Sequence, residues 1–144
     1  MKKIFINWFL VIIWAAVIFY FSSLPDLKSE LPSIWDLVFR KIAHMAEYFV
    51  LTYFLIIALL SHKINKKKAL IAAALLAVIY AISDEYHQTF ILGRSGKSAD
   101  VLIDSIGVLA MIWLYYQRKD ILRNQKSKGQ ISNQIQNPNN KKTF

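Results

Sequence analysis

The chain contains no cysteine, and this absence excludes a disulfide framework, a thiolate nucleophile and a thiolate metal site. Acidic residues are also few, with 9 Asp and Glu against 18 Lys and Arg. The resulting net charge of +9 would suit a nucleic-acid partner. The basic residues, however, flank apolar runs and form no stripe with interleaved aromatic side chains. The sequence therefore predicts contact with membrane lipids, through their anionic headgroups, and no nucleic-acid partner.

Apolar residues dominate the chain: 56% of it is hydrophobic, and these residues are gathered into four blocks. The first block, 4–21, and the second, 42–60, are each long enough to cross or nearly cross a hydrocarbon core of about 30 Å as a helix. The third block, 69–82, is too short and must recruit 83–88. The predicted fold class is all-α, an integral membrane four-helix bundle with short loops and a disordered C-terminal tail.

The predicted domain organisation is a transmembrane domain over residues 1–118 followed by a tail over residues 119–144. The tail is basic and then rich in Asn, Gln, Lys and Ser, a composition typical of disorder. A signal peptide would share the basic start of the first block. That block is longer than a signal-peptide core of about 7–15 residues and lacks an Ala-x-Ala-like site after it, so we interpret it as a retained span.

The basic residues predict the orientation of the bundle. With four spans both termini lie on one side, together with the Lys-rich loop 61–68. Because cytoplasmic loops carry the excess of Lys and Arg, we expect both termini of this multi-pass protein to be cytoplasmic. The polar residues at the start of the second span, the end of the third and the start of the fourth then meet at the outer leaflet.

The polar stretch 83–104 holds four carboxylates, a histidine and an arginine between apolar blocks. Charged side chains at membrane depth normally face a bundle interior or a wet cavity, so this stretch is the candidate functional site. Alanines at 73, 77 and 81 form a ridge that would turn its acids toward protein. The candidate catalytic residues are His44, Glu47, Asp84, Glu85 and His87; the candidate substrate-binding residues are Lys41, Tyr48, Gln88, Arg94, Asp100 and Asp104.

Four motifs follow one another along the chain: Ser22-Ser23-x-Pro25, Lys41-x-x-His44-x-x-Glu47-Tyr48-x-x-Leu51, Asp84-Glu85-x-His87-Gln88-x-Phe90-x-x-x-Arg94, and Asp100-x-x-x-Asp104-x-x-Gly107. This ordered set resembles the VanZ-like family of small membrane proteins over roughly residues 1–118. Leu92-Gly93-Arg94 stands where family members often have Pro-Gly-Arg, and it keeps the arginine. The resemblance implies a protein of the bacterial cell membrane, with the family's namesake linked to resistance against the lipoglycopeptide teicoplanin. It implies no settled reaction.

Three interpretations of the polar residues stay open. In acid–base catalysis, crowded carboxylates let one acid hold a proton while another stays ionised, a histidine carries the proton, and Arg94 holds a phosphate or carboxylate. In a divalent-metal site, the imidazoles and carboxylates are ligands for zinc or manganese. In a structural network, basic side chains neutralise the acids and fix the helix register. The candidate metal ligands are His44, Glu47, Glu85 and His87.

Two functional classes besides an enzyme follow from these interpretations. A binding protein would capture a lipid-linked cell-wall precursor or the lipoglycopeptide at the outer face without turnover. A transporter would need polar groups along the whole path, and the cytoplasmic halves of the third and fourth spans offer almost none. We expect a protein that acts on, or binds, a lipid-like cell-envelope substrate and so alters glycopeptide susceptibility.

Overall fold

A computed structural model describes residues 1–25, 33–94 and 96–136, without the side chains of residues 33, 36 and 119–136. These residues form four helices, namely α1 (Lys2–Ser22), α2 (Ser33–Leu60), α3 (Lys66–Gln88) and α4 (Ser98–Gln136). All four are long and apolar enough to span a membrane, through Lys2–Ser22, Leu37–Leu60, Lys66–Gln88 and Ser98–Arg118. The predicted all-α, four-span fold class is confirmed.

The chain divides into two units, Met1–Ile112 and Trp113–Phe144. The first contains α1, α2, α3 and the beginning of α4. In the second, α4 continues as a helix to Gln136, although the composition of the tail predicts disorder from residue 119. No proline lies between residues 98 and 137, so no proline in this segment forces the helix to end. The disorder predicted for 137–144 falls outside the described residues.

The helix boundaries have local causes. Asn65 caps α3, because its side-chain oxygen accepts a hydrogen bond from the backbone N–H of Lys67 at 2.8 Å. The turn after α3 uses Gly93 at φ 81°, a left-handed conformation that glycine adopts without a steric penalty. The residues around Trp35 begin α2 and are continuous with its span.

Small residues allow the helices of the first unit to pack closely. Ala69, Ala73, Ala77 and Ala81 of α3 are fully buried, which confirms the predicted ridge. On α4, Gly107 lies so near the backbone carbonyl of Met45 that a Cβ atom would overlap it. Large apolar side chains point outward along α1, where only 11% of the span is buried. Such a surface suits lipid rather than water.

Polar contacts join α1 to its neighbouring spans. The Tyr80 hydroxyl of α3 donates to the Ala15 carbonyl of α1 at 2.7 Å. The Trp14 indole of α1 donates to the Glu47 carbonyl of α2 at 2.9 Å. In apolar surroundings no water competes for the donor or the acceptor of a hydrogen bond. These contacts therefore fix α1 against its neighbours.

Candidate functional site

Polar side chains from three helices surround one cavity of about 210 Å³. It lies between the first turns of the α2 span, the last turn of α3, the beginning of α4 and the connection between α3 and α4. Seven of the eleven predicted site residues line it: Lys41, His44, Glu85, Gln88, Arg94, Asp100 and Asp104. The prediction that these distant segments meet in one pocket therefore holds for this part of the set.

The centre of the cavity is formed by His44, Glu85 and Asp104. One potential ligand atom from each lies within 4.8 Å of the other two. The Nδ1 atom of His44 is 3.8 Å from Oδ1 of Asp104, and the Asp104 side chain is only 1% exposed. The second carboxylate oxygen of Asp104, Oδ2, is buried and has no hydrogen-bond partner among the described residues. A buried carboxylate oxygen in that state is costly unless something else satisfies it.

Glu85 is oriented by the loop that follows its helix. Its Oε2 atom accepts a hydrogen bond from the backbone N–H of Lys97 at 2.9 Å. The loop can approach because residue 96 is glycine, and a Cβ there would overlap the backbone carbonyl of Glu85. The spacing of the sequence predicted Glu85 but not this support, because the contact joins residues 12 apart.

Lys41 and Asp100 form an ion pair at the rim of the cavity. The Lys41 ammonium donates to Oδ1 of Asp100 at 2.7 Å, and the two side chains are 36% and 30% exposed. A pair that water reaches this easily contributes little to stability. It does join the beginning of α2 to the beginning of α4 and sets a positive and a negative group beside the opening.

Arg94 holds the end of α1. Its Nε and Nη2 atoms donate to the carbonyls of Leu24 and Phe21 at 3.0 and 3.1 Å, so the guanidinium joins the last turn of α1 to the residues that follow it. Burial lowers the pKa of the Arg94 guanidinium from its ordinary value, and the charge of Arg40 acts in the same direction. An arginine nevertheless stays charged in proteins, so Arg94 contributes positive charge to the cavity that it lines.

Four predicted residues do not line the cavity: Glu47, Tyr48, Asp84 and His87. Asp84 is buried, and its Oδ2 accepts from the Gln88 amide at 3.0 Å. His87 stacks on Phe19 with ring centroids 4.4 Å apart and has its Nε2 3.1 Å from the hydroxyl of Ser23. Tyr48 is fully buried, whereas the Glu47 side chain is half-buried.

The predicted metal ligands are accordingly not brought together as one set. His44 and Glu85 meet Asp104, which the sequence suggested as a substrate-binding residue, whereas Glu47 and His87 are not part of that group. His87 follows Glu85 by two residues, which is about 200° around a helix, so the two side chains leave α3 on nearly opposite sides.

Sequence reasoning missed Arg40, which also lines the cavity. A signal was present, since Arg40 and His44 are four residues apart and share a helix face. This signal was not specific, because an arginine next to another basic residue at the start of a span is also typical of a membrane boundary.

Comparison with known proteins places the chain in a family. The model of the VanZ/LLP1 family matches residues 5–123, which includes every residue that lines the cavity. Searches of curated proteins and of solved structures found no significant match. With the four apolar helices and the matching motifs, this result confirms the resemblance, and the chain belongs to the VanZ/LLP1 family of membrane proteins.

Proposed function

We propose that this protein acts at the outer face of a bacterial cell membrane, where its cavity takes the phosphate-bearing headgroup of a lipid-linked cell-envelope precursor. The observation that carries the proposal is the lining of the cavity, in which Arg40, Lys41, Arg94 and Lys97 surround the pair of His44 and Asp104. Charged donors of this kind recognise phosphate.

A lipid suits this cavity better than a soluble phosphate compound. The cavity lies at the N-terminal end of the α2 span and the C-terminal end of α3. Headgroups of membrane lipids are found at such boundaries of apolar spans. The outward orientation rests on the positive-inside rule, because the lysines of loop 61–68 lie at the opposite ends of α2 and α3. A lipid of that leaflet would have its headgroup at the depth of the cavity.

Acid–base catalysis is the chemistry that the centre of the cavity fits. A histidine whose ring nitrogen faces a buried carboxylate can take a proton from an attacking hydroxyl or water, and the carboxylate orients the ring and stabilises its charge. The separation of 3.8 Å between His44 and Asp104 is longer than a hydrogen bond, and such contacts commonly tighten when substrate binds. In this scheme His44 is the proton acceptor and Asp104 its partner.

A second candidate is a protein that binds the precursor or the lipoglycopeptide and shields it without turnover. It is favoured by the contacts of Lys41 with Asp100, of Lys97 with Glu85, and of Arg94 with the end of α1. The Lys41 ammonium, the Glu85 carboxylate and the Arg94 guanidinium are each held in place by a neighbour, which is what a rigid binding surface needs.

The test compares His44→Gln with His62→Gln, a matched histidine change on an exposed residue that does not line the cavity. Wild type and both variants are produced at equal membrane levels in a teicoplanin-sensitive host. We expect wild type and His62→Gln to alter both teicoplanin susceptibility and the pool of lipid-linked precursors. His44→Gln should lose both effects, since a missing general base commonly lowers a rate by about 10²–10⁴.

Each result decides between the candidates. If His44→Gln still protects while the precursor pool stays at its resting level, the protein binds without turnover. If wild type changes neither susceptibility nor the pool relative to cells without it, the proposed function is wrong.

Recognition of the phosphate can be measured directly on the purified protein in detergent. A polyprenyl phosphate should bind more tightly than the matching polyprenol, because only the phosphate meets the basic side chains. Lys41→Gln, at the cavity, should reduce that preference, whereas Lys63→Gln, in the loop at the other end of α2, should not. Equal binding of the two lipids to wild type would contradict the proposal.

A further inference from the structure

We infer that His44, Glu85 and Asp104 form a binding site for a divalent transition-metal ion, zinc or manganese. Each residue comes from a different helix, α2, α3 and α4, and one ligand atom of each lies within 4.8 Å of the others. One imidazole with two carboxylates is a donor set that suits zinc and manganese; magnesium and calcium prefer oxygen ligands alone.

A second observation points to a ligand at the same place. The Asp104 side chain is 1% exposed, and its Oδ2 atom has no hydrogen-bond partner among the described residues. Asp104 also lines the cavity. A cation there would satisfy this oxygen. It would also give the two carboxylates and the imidazole a shared positive partner.

The surroundings hold the donors in position. The hydrogen bond from the Lys97 N–H to Oε2 orients Glu85 and leaves further lone pairs on its carboxylate for a metal. Supporting hydrogen bonds of this kind are a regular part of metal sites. Donor atoms about 2.1 Å from a tetrahedral ion lie about 3.4 Å apart, so the observed group needs only small side-chain rotations to close around one.

Basic side chains at the cavity repel a metal cation, and the contacts that these side chains make reduce that repulsion. The charge of Lys41 is paired with that of Asp100, and the Arg94 guanidinium is directed toward the backbone carbonyls of Phe21 and Leu24. A metal with three protein ligands keeps at least one open position. A phosphate oxygen there would bring negative charge to both the metal and the bases, so in its link to phosphate this inference rests on the proposed function. With an ion bound, His44 would be its ligand and would not accept a proton, so the acid–base scheme describes the protein without metal.

The experiment uses the full-length protein in detergent, stripped with a chelator and then titrated with zinc chloride or manganese chloride alone. We expect about one ion per chain for wild type. Asp104→Asn and His44→Gln should each bind more weakly by over about a hundredfold, because losing a direct ligand exceeds the roughly 10–100-fold cost of losing a supporting residue. Glu47→Gln is the matched control: it removes a carboxylate one turn from His44 that is not in the group, and it should keep wild-type binding.

Folding is checked by gel filtration and by the melting temperature, so that a misfolded variant is recognised and replaced by Glu85→Gln. Wild type that binds neither ion with a stoichiometry above one-tenth per chain would overturn the inference whatever the variants do. So would equal loss of binding in Glu47→Gln and Asp104→Asn. A protein that prefers the phosphate lipid but binds neither ion would contradict only the metal site, and a protein that binds an ion but shows no preference for the phosphate lipid would contradict only the proposed function.

Discussion

At the scale of single residues, the side chains of the cavity have two different tasks. His44 and Asp104 have contacts that leave binding capacity unused, since their closest atoms are 3.8 Å apart and Asp104 Oδ2 has no hydrogen-bond partner among the described residues. Arg94 is the opposite case, because two of its nitrogens donate to backbone carbonyls. The first kind of residue is free to meet a ligand, and the second kind holds the cavity together.

Arg94→Lys should therefore destabilise the protein by about 1–2 kcal/mol, even though it keeps the charge. A lysine has no planar fork and cannot reach the carbonyls of both Phe21 and Leu24 from one position. Hydrogen bonds to charged groups carry this order of energy when water reaches them in part. Thermal unfolding in detergent measures the effect.

Arg118→Lys is the control for that change, because Arg118 is an exposed residue of α4 and its replacement should leave the melting temperature unchanged. Faster hydrogen exchange at residues 22–24 in Arg94→Lys would locate the loss at the end of α1. Equal melting temperatures for both variants would mean that the fork of Arg94 does not stabilise α1.

At the scale of elements, the position of α4 against α2 decides whether the site exists. Asp100 and Asp104 reach Lys41 and His44 only because the two helices approach closely further along. The approach occurs at Gly107, where the backbone carbonyl of Met45 occupies the space of a Cβ atom. Small residues at crossing points are the usual way in which membrane helices come together.

Gly107→Ala should separate α2 from α4, lower stability by about 1–3 kcal/mol, and weaken zinc binding because Asp104 moves away from His44. Ala110→Leu adds more volume to the same helix at an exposed position and should leave both properties near those of wild type. Melting temperature and zinc titration are measured on the same preparations. A Gly107→Ala protein with unchanged melting and zinc binding would show that the close contact has no part in forming the site.

At the scale of the whole molecule, the orientation in the membrane decides which leaflet the cavity faces. The cavity and loop 61–68 lie at opposite ends of α2 and α3, so one faces the cytoplasm if the other faces outward. Residues 61–68, which connect α2 to α3 and form the first turn of α3, carry an excess of lysine, and this predicts that this end of the two helices is cytoplasmic. The proposed substrate requires this, because an outward-facing cavity meets precursors in the outer leaflet.

The absence of cysteine makes the orientation simple to test. Leu92→Cys places a thiol at a residue that is 87% exposed, beside the cavity, and Ile64→Cys places one in the opposite loop. A membrane-impermeant maleimide should label Leu92→Cys in intact cells and Ile64→Cys only after permeabilisation. The unmodified chain has no thiol and gives the background. The reverse pattern of labelling would move the site to the cytoplasmic face and contradict the proposed substrate.

The sequence by itself determined the helices, their spans and the end of the bundle at which polar residues collect. These are local properties: hydropathy, charge and helical period follow from neighbouring residues. The ridge of Ala73, Ala77 and Ala81 could be read in the same way, and it turned Asp84 and Glu85 toward protein as predicted. The VanZ-like motifs gave the family for the same reason, because they are patterns along the chain.

Only the tertiary structure decided which polar side chains share the cavity. His87 and Glu85 are two residues apart, yet His87 stacks on Phe19 of α1 and Glu85 lines the cavity with His44 and Asp104. That choice depends on how far each helix is rotated about its axis and how closely it approaches its neighbours. Both are set by contacts between distant residues, such as Gly107 against Met45, and no single segment of sequence contains them.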